Sequence, residues 1–344
     1  MRYCLAVISV ILLVSFTSPV LAASQREYND CNQTRDADRR ISACTRIIRG
    51  KGETAHDRAG AYHNRGYAYY GKSDYDRAIA DYDAALRLDP TLVQPYTNRG
   101  NAYEHKGDYD RAIADYDAAI RLNPKDAAAY NNRVVAYDKR GNAYEDKGDH
   151  DRAIADYDAA IRLNPKYAPA HYNRGVAYEA KGDHDRAIAS YDASIRLNPK
   201  DVFAYNNRGN AYDAKCNHDR AIADYDAAIR LDPKHVQAYY NRGLAYYDRG
   251  DHDRAIADFD AAIRLDPKYL PAYGNRGFAY EAKGDHDRAI ADYDAAIRLD
   301  PKLATAYYNR GLAYYDRGDH DRAIADYDAA IRLDPKHVDA YNNR

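Results

Sequence analysis

Small and apolar residues recur along most of this chain in two alternating helical patterns. Near the start of one copy, Tyr96, Arg99, Gly100 and Tyr103 fall three or four positions apart, and further on Ala112, Ile113, Tyr116, Ala119 and Ile120 form a second stripe of the same period. Residues so spaced share one face of an α-helix, so each stretch predicts an amphipathic helix. Gly107 ends the first, where a residue free to adopt a left-handed conformation is favoured, and Asp108 can cap the second by accepting from its free amides. Asn123-Pro124 stops the second helix, because proline lacks an amide and disfavours helix in the residue before it. The predicted unit is a tight helical hairpin, with Gly100 and Ala112 small where two helices must cross closely.

That unit is written many times. Ten residues, Asp-Arg-Ala-Ile-Ala-Asp-Tyr-Asp-Ala-Ala or a close variant, begin at Asp76, Asp110, Asp151, Asp185, Asp219, Asp253, Asp287 and Asp321, a spacing of 34 residues with one step of 41. A fixed period in this range means stacked copies of one supersecondary element, so function is sought on the surface of an array and not in a catalytic pocket. The motifs Tyr96-x2-Arg99-Gly100-x2-Tyr103, Ala112-x3-Tyr116 and Pro124 resemble the tetratricopeptide repeat. The resemblance covers residues 59–337 as eight repeats: 59–92, 93–126, 127–167, 168–201, 202–235, 236–269, 270–303 and 304–337. It implies an all-α fold, a right-handed superhelical solenoid of antiparallel helix pairs, whose first helices line a concave groove that binds a partner protein or an extended peptide. Periodicity alone gives only the solenoid.

Departures from the family pattern carry information. Arginine stands where the family usually has an apolar residue: Arg65, Arg99, Arg133, Arg174, Arg208, Arg242, Arg276 and Arg310. Such a residue is tolerated inside a hairpin if its stem packs and its guanidinium meets a carboxylate. The Asp before the second-helix aromatic, as in Asp115, Asp224 and Asp258, is the expected partner; Ser190 interrupts that series, so repeat 4 should lack one pair. Repeat 3 carries an insertion, Val134 to Arg140, which makes two overlapping copies of the first-helix motif. Seven residues are nearly two helical turns, so one long helix is expected there. Residues 338–344 begin a ninth first helix and stop; the last two turns are expected to fray, with a truncated gene and a self-association surface as the two readings of this end.

Charge narrows the partners. With 51 basic and 53 acidic residues interspersed, no broad positive field exists for nucleic acid or an anionic membrane. Residues 1–22 are of another kind: Arg2, an apolar run from Leu5 to Val14, and small or modest side chains at Val20 and Ala22, the layout of a secretory signal cleaved before Ala23. Export to the periplasm or beyond is expected, with no membrane insertion after cleavage, the apolar run being short of the ~20 residues a spanning helix needs. Residues 23–58 read as a degenerate hairpin capping the array. Aligning Asp38–Cys44 with Asp76–Tyr82 puts Cys44 in an aromatic core place and Cys31 in the facing place of the first helix, so a Cys31–Cys44 disulfide is expected in an oxidising compartment.

Candidate chemistry is sparse. His150, His184, His218, His252, His286 and His320 each open a second helix, but equivalent residues of stacked hairpins stand a helix pair apart, too far to share a metal ion. Asp-rich strings such as Asp115-Tyr116-Asp117 point about 100° apart per residue and cannot wrap calcium. Cys216 beside His218 lacks an oriented triad and an anion-stabilising pocket. No enzyme activity, metal or cofactor is expected. The binding surface is read from four first-helix places that vary among otherwise uniform repeats, at spacings of 3, 4 and 3 that put them on one face. This face is polar and acidic in its first half, with Asn101, Glu104, Asn142, Glu145, Asn206 and Asn210, and aromatic or apolar in its second, with Tyr240, Leu244, Tyr247, Phe278, Tyr308, Leu312 and Tyr315. A partner segment with basic and apolar portions would fit; self-assembly through the repeat ends and binding of an envelope glycan are the alternatives.

Overall fold

Side-chain caps and proline stops cut most of the repeats into a first helix of 13 residues and a second of 14. In the computed structural model, which describes residues 23–344, nineteen α-helices are found and, among those residues, no strand. The Asp108 carboxylate accepts from the amide of Arg111 at 3.2 Å, and Asp74, Asp149, Asp183, Asn217, Asp251, Asp285 and Asp319 cap the second helices of the other repeats in the same way. Each repeat so bounded is a first helix such as Val236–Asp248 and a second such as His252–Leu265. The turn between them requires a left-handed residue. Glycine supplies it in most repeats, as at Gly107 with φ 75°, but Ser73 and Cys216 adopt it at φ 58° and 57°.

Within a hairpin the helices touch through a glycine and a ring. A Cβ built on Gly277 would lie 2.7 Å from Tyr293 Cε1, and one on Gly243 equally near Phe259. The absent side chain lets the aromatic ring pack directly on the first helix, and those rings are at most 1% exposed in repeats 6 and 7. Alanines such as Ala255, Ala262, Ala272 and Ala279 fill the remaining interior, where only a methyl fits.

The arginine series lies between repeats. Arg208 donates from Nε and Nη2 to Asp224 of its own second helix at 2.7 and 2.6 Å, and from Nη1 to Asp192 of the preceding repeat at 2.5 Å. The first contact is the expected one; the second, to the Asp that follows the aromatic, was not foreseen. Arg99, Arg242, Arg276 and Arg310 repeat the same three bonds. In repeat 4, Arg174 finds the hydroxyl of Ser190 at 3.2 Å in place of a carboxylate and keeps its bond to Asp158 at 2.6 Å. Burial opposes the charge on Arg208, yet its two carboxylates outweigh that and hold its pKa above the ordinary value. Burial likewise pushes the Asp224 carboxyl up, against the pull of Arg208.

The insertion in repeat 3 is absorbed in one helix, Ala127–Glu145, of 19 residues against 13 for its neighbours. It also divides the work of one arginine between two. Arg133 bonds Asp117 of the preceding repeat, while Arg140 donates from Nε and Nη2 to Asp156 of its own second helix at 2.8 and 2.7 Å. The described residues form two compact units, the first ending at Tyr137 and the second running from Asp138 to Arg344, and this boundary falls between the two arginines.

At the start of the first unit, helices Gln25–Gln33 and Ala37–Arg49 pair, joined by a disulfide between Cys31 and Cys44, both fully buried against Ala43, Ile47 and Ala61. Helix Val338–Asn343 ends the second unit as the first element of a further repeat. The secretory signal read in residues 1–22 lies outside the described residues. No helix among the described residues is long and apolar enough to cross a membrane.

Glycine and turn chemistry give a paired prediction. Cys216→Gly, which relieves a left-handed residue with a side chain, should stabilise the second unit by about 1 kcal/mol. Gly277→Ala should destabilise it by about 1–3 kcal/mol through overpacking against Tyr293, whereas Gly274→Ala one turn earlier, with nothing within 4 Å of the new Cβ, should stabilise it by roughly 0.5–1 kcal/mol. Urea denaturation followed by circular dichroism checks all three signs.

Candidate functional site

The varied face of the first helices is not uniformly available to a partner. Next to each repeat arginine stands an asparagine, and everywhere but at Asn309 its amide reaches back about one repeat. Asn98 meets His63 Nε2 at 2.9 Å and Asn132 donates to Asn101 at 2.8 Å in the first unit; in the second, Asn173 donates to Asp138, Asn207 to Tyr172, Asn241 to Asn206, Asn275 to Tyr240 and Asn343 to Tyr308, at 2.8–3.2 Å. Each bond ties one first helix to the next. The residues it uses are those of the varied face.

The polar places are consequently occupied within the chain. Asn101 also accepts from the Tyr116 hydroxyl at 2.9 Å, as does Glu104 at 3.1 Å. Asn142 accepts from Tyr157, Asn210 from both Tyr225 and Asn241, and Glu145 pairs with His150 at 2.9 Å. Asn206 is buried, 5% exposed. These residues line up repeats and anchor buried tyrosine hydroxyls, a role in packing that the sequence reading did not assign them. The signal was present: an asparagine precedes the arginine in every repeat, and a place that does not vary on a face that does has a fixed partner.

The aromatic places are more open. Phe278 and Tyr315 are exposed, while Tyr240, Leu244, Tyr247, Tyr308 and Leu312 are half-buried. Tyr240 packs edge-on against Tyr269, with centroids 5.3 Å apart, and Tyr308 lies tilted against His337 at 4.6 Å. Between them, Gly274 takes the place that Tyr240 and Tyr308 hold in the flanking repeats. A missing side chain leaves room there. A cavity of ≈ 640 Å³ opens on this face, with Leu270, Gly274, Phe278, Leu303, Tyr308 and Asp339 among its walls. Asn309 also lines it. Its counterpart residue one repeat back is Gly274, which has no side chain to accept, and among the described residues the Asn309 amide makes no hydrogen bond. Apolar walls with one unspent amide and one carboxylate at the rim suit an apolar side chain on an extended backbone, flanked by a cation.

Cys216 is exposed, and His218 turns its Nδ1 to Asp213 at 2.8 Å.

The sequence matches the family model described as tetratricopeptide repeat over residues 139–202, 206–269 and 275–338, with related models matching 93–126 and 66–107. No curated protein matches the chain. Among solved structures, PilW, titled a widely conserved type IV pilus biogenesis factor, is similar at TM-score 0.55 and 18% identity over 61% of this chain and 97% of its own. PilF of Pseudomonas aeruginosa is similar at TM-score 0.53 and 18% identity over 62% and 97%. YrrB, titled a repeat protein with an unusual peptide-binding site, is 25% identical over 54% of this chain and 96% of its own, at TM-score 0.48. At these values PilW and PilF share the fold.

The burial of His63 makes the first unit sensitive to acid. Burial lowers the His63 pKa from 6.5 to about 4, so the folded imidazole stays neutral while the unfolded one gains a proton below 6.5. Stability from this group is therefore full above 6.5 and lost as pH falls toward 4. At pH 5 the loss is about 2 kcal/mol. His63→Gln, which keeps an acceptor for Asn98 but does not titrate, should show that much less acid destabilisation between pH 7.5 and 5, read from hydrogen exchange of helix Ala55–Gly71. Equal pH dependence in the two proteins would refute the assignment.

Proposed function

The chain belongs to the tetratricopeptide repeat family, and on that footing we propose that it is a non-enzymatic scaffold that holds an extended segment of a partner protein. The segment lies on the first-helix face of the second unit, with an apolar or aromatic side chain seated in the cavity at Gly274. The cavity carries this reading, since the one repeat with no side chain at this place is also the one where a ladder asparagine is left without its acceptor. Asn309 bonds the backbone of the segment, Phe278 and Tyr308 pack on its inserted side chain, and Asp339 at the rim favours a basic neighbour. An aromatic anchor of this kind contributes on the order of 2 kcal/mol at a hot spot. The polar first half of the face takes a smaller share than its sequence suggests, its amides and carboxylates being engaged within the chain. Residues 1–22 and the Cys31–Cys44 disulfide support placing this scaffold in an exported, oxidising compartment.

Peptides selected from a random library on the full chain should carry an aromatic or aliphatic residue next to Lys or Arg. Gly274→Phe, which fills the cavity without meeting a neighbour at Cβ, should weaken them by about tenfold or more, equivalent to roughly 1.4 kcal/mol, with the fold intact by circular dichroism. Arg230→Ala, on the exposed end of a second helix, should leave affinity unchanged. Binding that ignores Gly274→Phe but fails with Arg230→Ala would place the partner elsewhere.

A further inference from the structure

In repeats 5 and 7 the first helix ends near an acid, Asp213 or Glu281, and five residues later the second helix opens on His218 or His286. The turn folds each pair together: an Asp213 carboxylate oxygen lies 2.8 Å from His218 Nδ1, and one of Glu281 lies 2.9 Å from His286 Nδ1. The next repeat adds a third donor. Asp248 joins the first pair and Asp316 the second, and the donor atoms of each trio lie within 4.8 Å of one another. The trios are 68 residues apart at every member, so one arrangement is built twice on the same frame. In the second, Glu281 Oε1 is buried with no hydrogen-bond partner among the described residues, a state that Glu145 Oε2 shares beside His150 in repeat 3, where Ala180 stands in the place of the third donor. The convergence of three donors, and not the orphaned oxygen, is what sets the two trios apart.

We propose that each trio binds one divalent transition-metal ion of the zinc class, with water completing its coordination, and that the ion links repeat 5 to repeat 6 and repeat 7 to repeat 8. One imidazole nitrogen and two carboxylate oxygens, without a thiolate, suit Zn²⁺ better than the all-oxygen shell of Ca²⁺ or the soft donors of Cu⁺. Zinc bonds of about 2.0–2.2 Å draw donors closer than 4.8 Å, and the exposed carboxylates of Asp248 and Asp316 are free to rotate inward. The histidines of successive repeats do not converge on one another, as the sequence reading held; the ligand it missed is the acid of the neighbouring repeat.

The other repeats are internal controls. In repeats 6 and 8 a tyrosine stands in place of the first acid, and His252 and His320 pack on Tyr247 and Tyr315 with centroids 5.2 and 5.0 Å apart. In repeat 4, Glu179 accepts from the Tyr191 hydroxyl at 3.0 Å, and Ala214 occupies the place of the third donor. Only an acidic repeat followed by an aspartate-ending one assembles all three.

Zinc chloride titrated into the tag-free, chelator-treated full chain by isothermal calorimetry tests this. The native chain should take up two equivalents and melt at a higher temperature with zinc than without. Asp248→Asn with Asp316→Asn should abolish both effects while leaving the zinc-free melt unchanged. Two equivalents should survive in His184→Gln with His252→Gln and His320→Gln, and in Cys216→Ser, which separates the trios from loose binding by histidine or thiol. Fewer than two equivalents in the native chain, uptake that persists without Asp248 and Asp316, or uptake lost in either control would overturn the proposal.

Discussion

An arginine held by two aspartates, one from its own hairpin and one from the repeat before, is the contact on which the array depends. The guanidinium is rigid and presents its donors as a fork, so Nε and Nη2 take one carboxylate side-on while Nη1 remains for the other. Both carboxylates lie sixteen residues from the arginine, one after it and one before it. The pair within the hairpin is nearly dry, with Arg242 19% and Asp258 7% exposed, and Asp226 of the preceding repeat is at 36%. Taking such charges from water is costly, and the geometry offsets that cost only when every donor is met. What the arrangement adds is register, because a hairpin shifted by one residue would leave a buried charge unmatched.

The features of the surface follow from this register. Fixed spacing between first helices lets each asparagine reach its counterpart one repeat back, and it brings the acid of one repeat to the histidine of another. Where the counterpart is Gly274 the ladder is interrupted, and an apolar cavity with an unused amide results. Repeat 3 shows the same logic under strain of length. Seven extra residues lengthen a helix instead of looping out, and two arginines divide between them the two carboxylates that one arginine holds elsewhere.

The fold was legible because every level of the sequence agrees on it: helical period, Asp caps, turn glycines and Pro stops repeat together. The Arg–Asp pair within a hairpin was legible for the same reason, as was its loss at Ser190. The second aspartate was not, since nothing in a single repeat says which side chains face its neighbour. The same blindness affects the candidate site. Variation picked out one helical face, but Asn101, Asn206 and Asn210 vary along with it while bonding inward, and sequence alone does not separate a place that varies freely from one that varies with a partner inside the chain. The cavity at Gly274 and the His218 and His286 trios are products of stacking, visible only when two repeats are set side by side.

A double-mutant cycle on Arg242 and Asp258 tests the dependence on the arginine bridge most directly, with unfolding free energies of the native chain, Arg242→Met, Asp258→Asn and the double variant compared in urea. The account predicts that each single change destabilises strongly and that the double change costs little more than either, a coupling of about 2–3 kcal/mol. Single effects that add to within about 0.5 kcal/mol would show that the two side chains contribute independently and that the register of the array is set by something else.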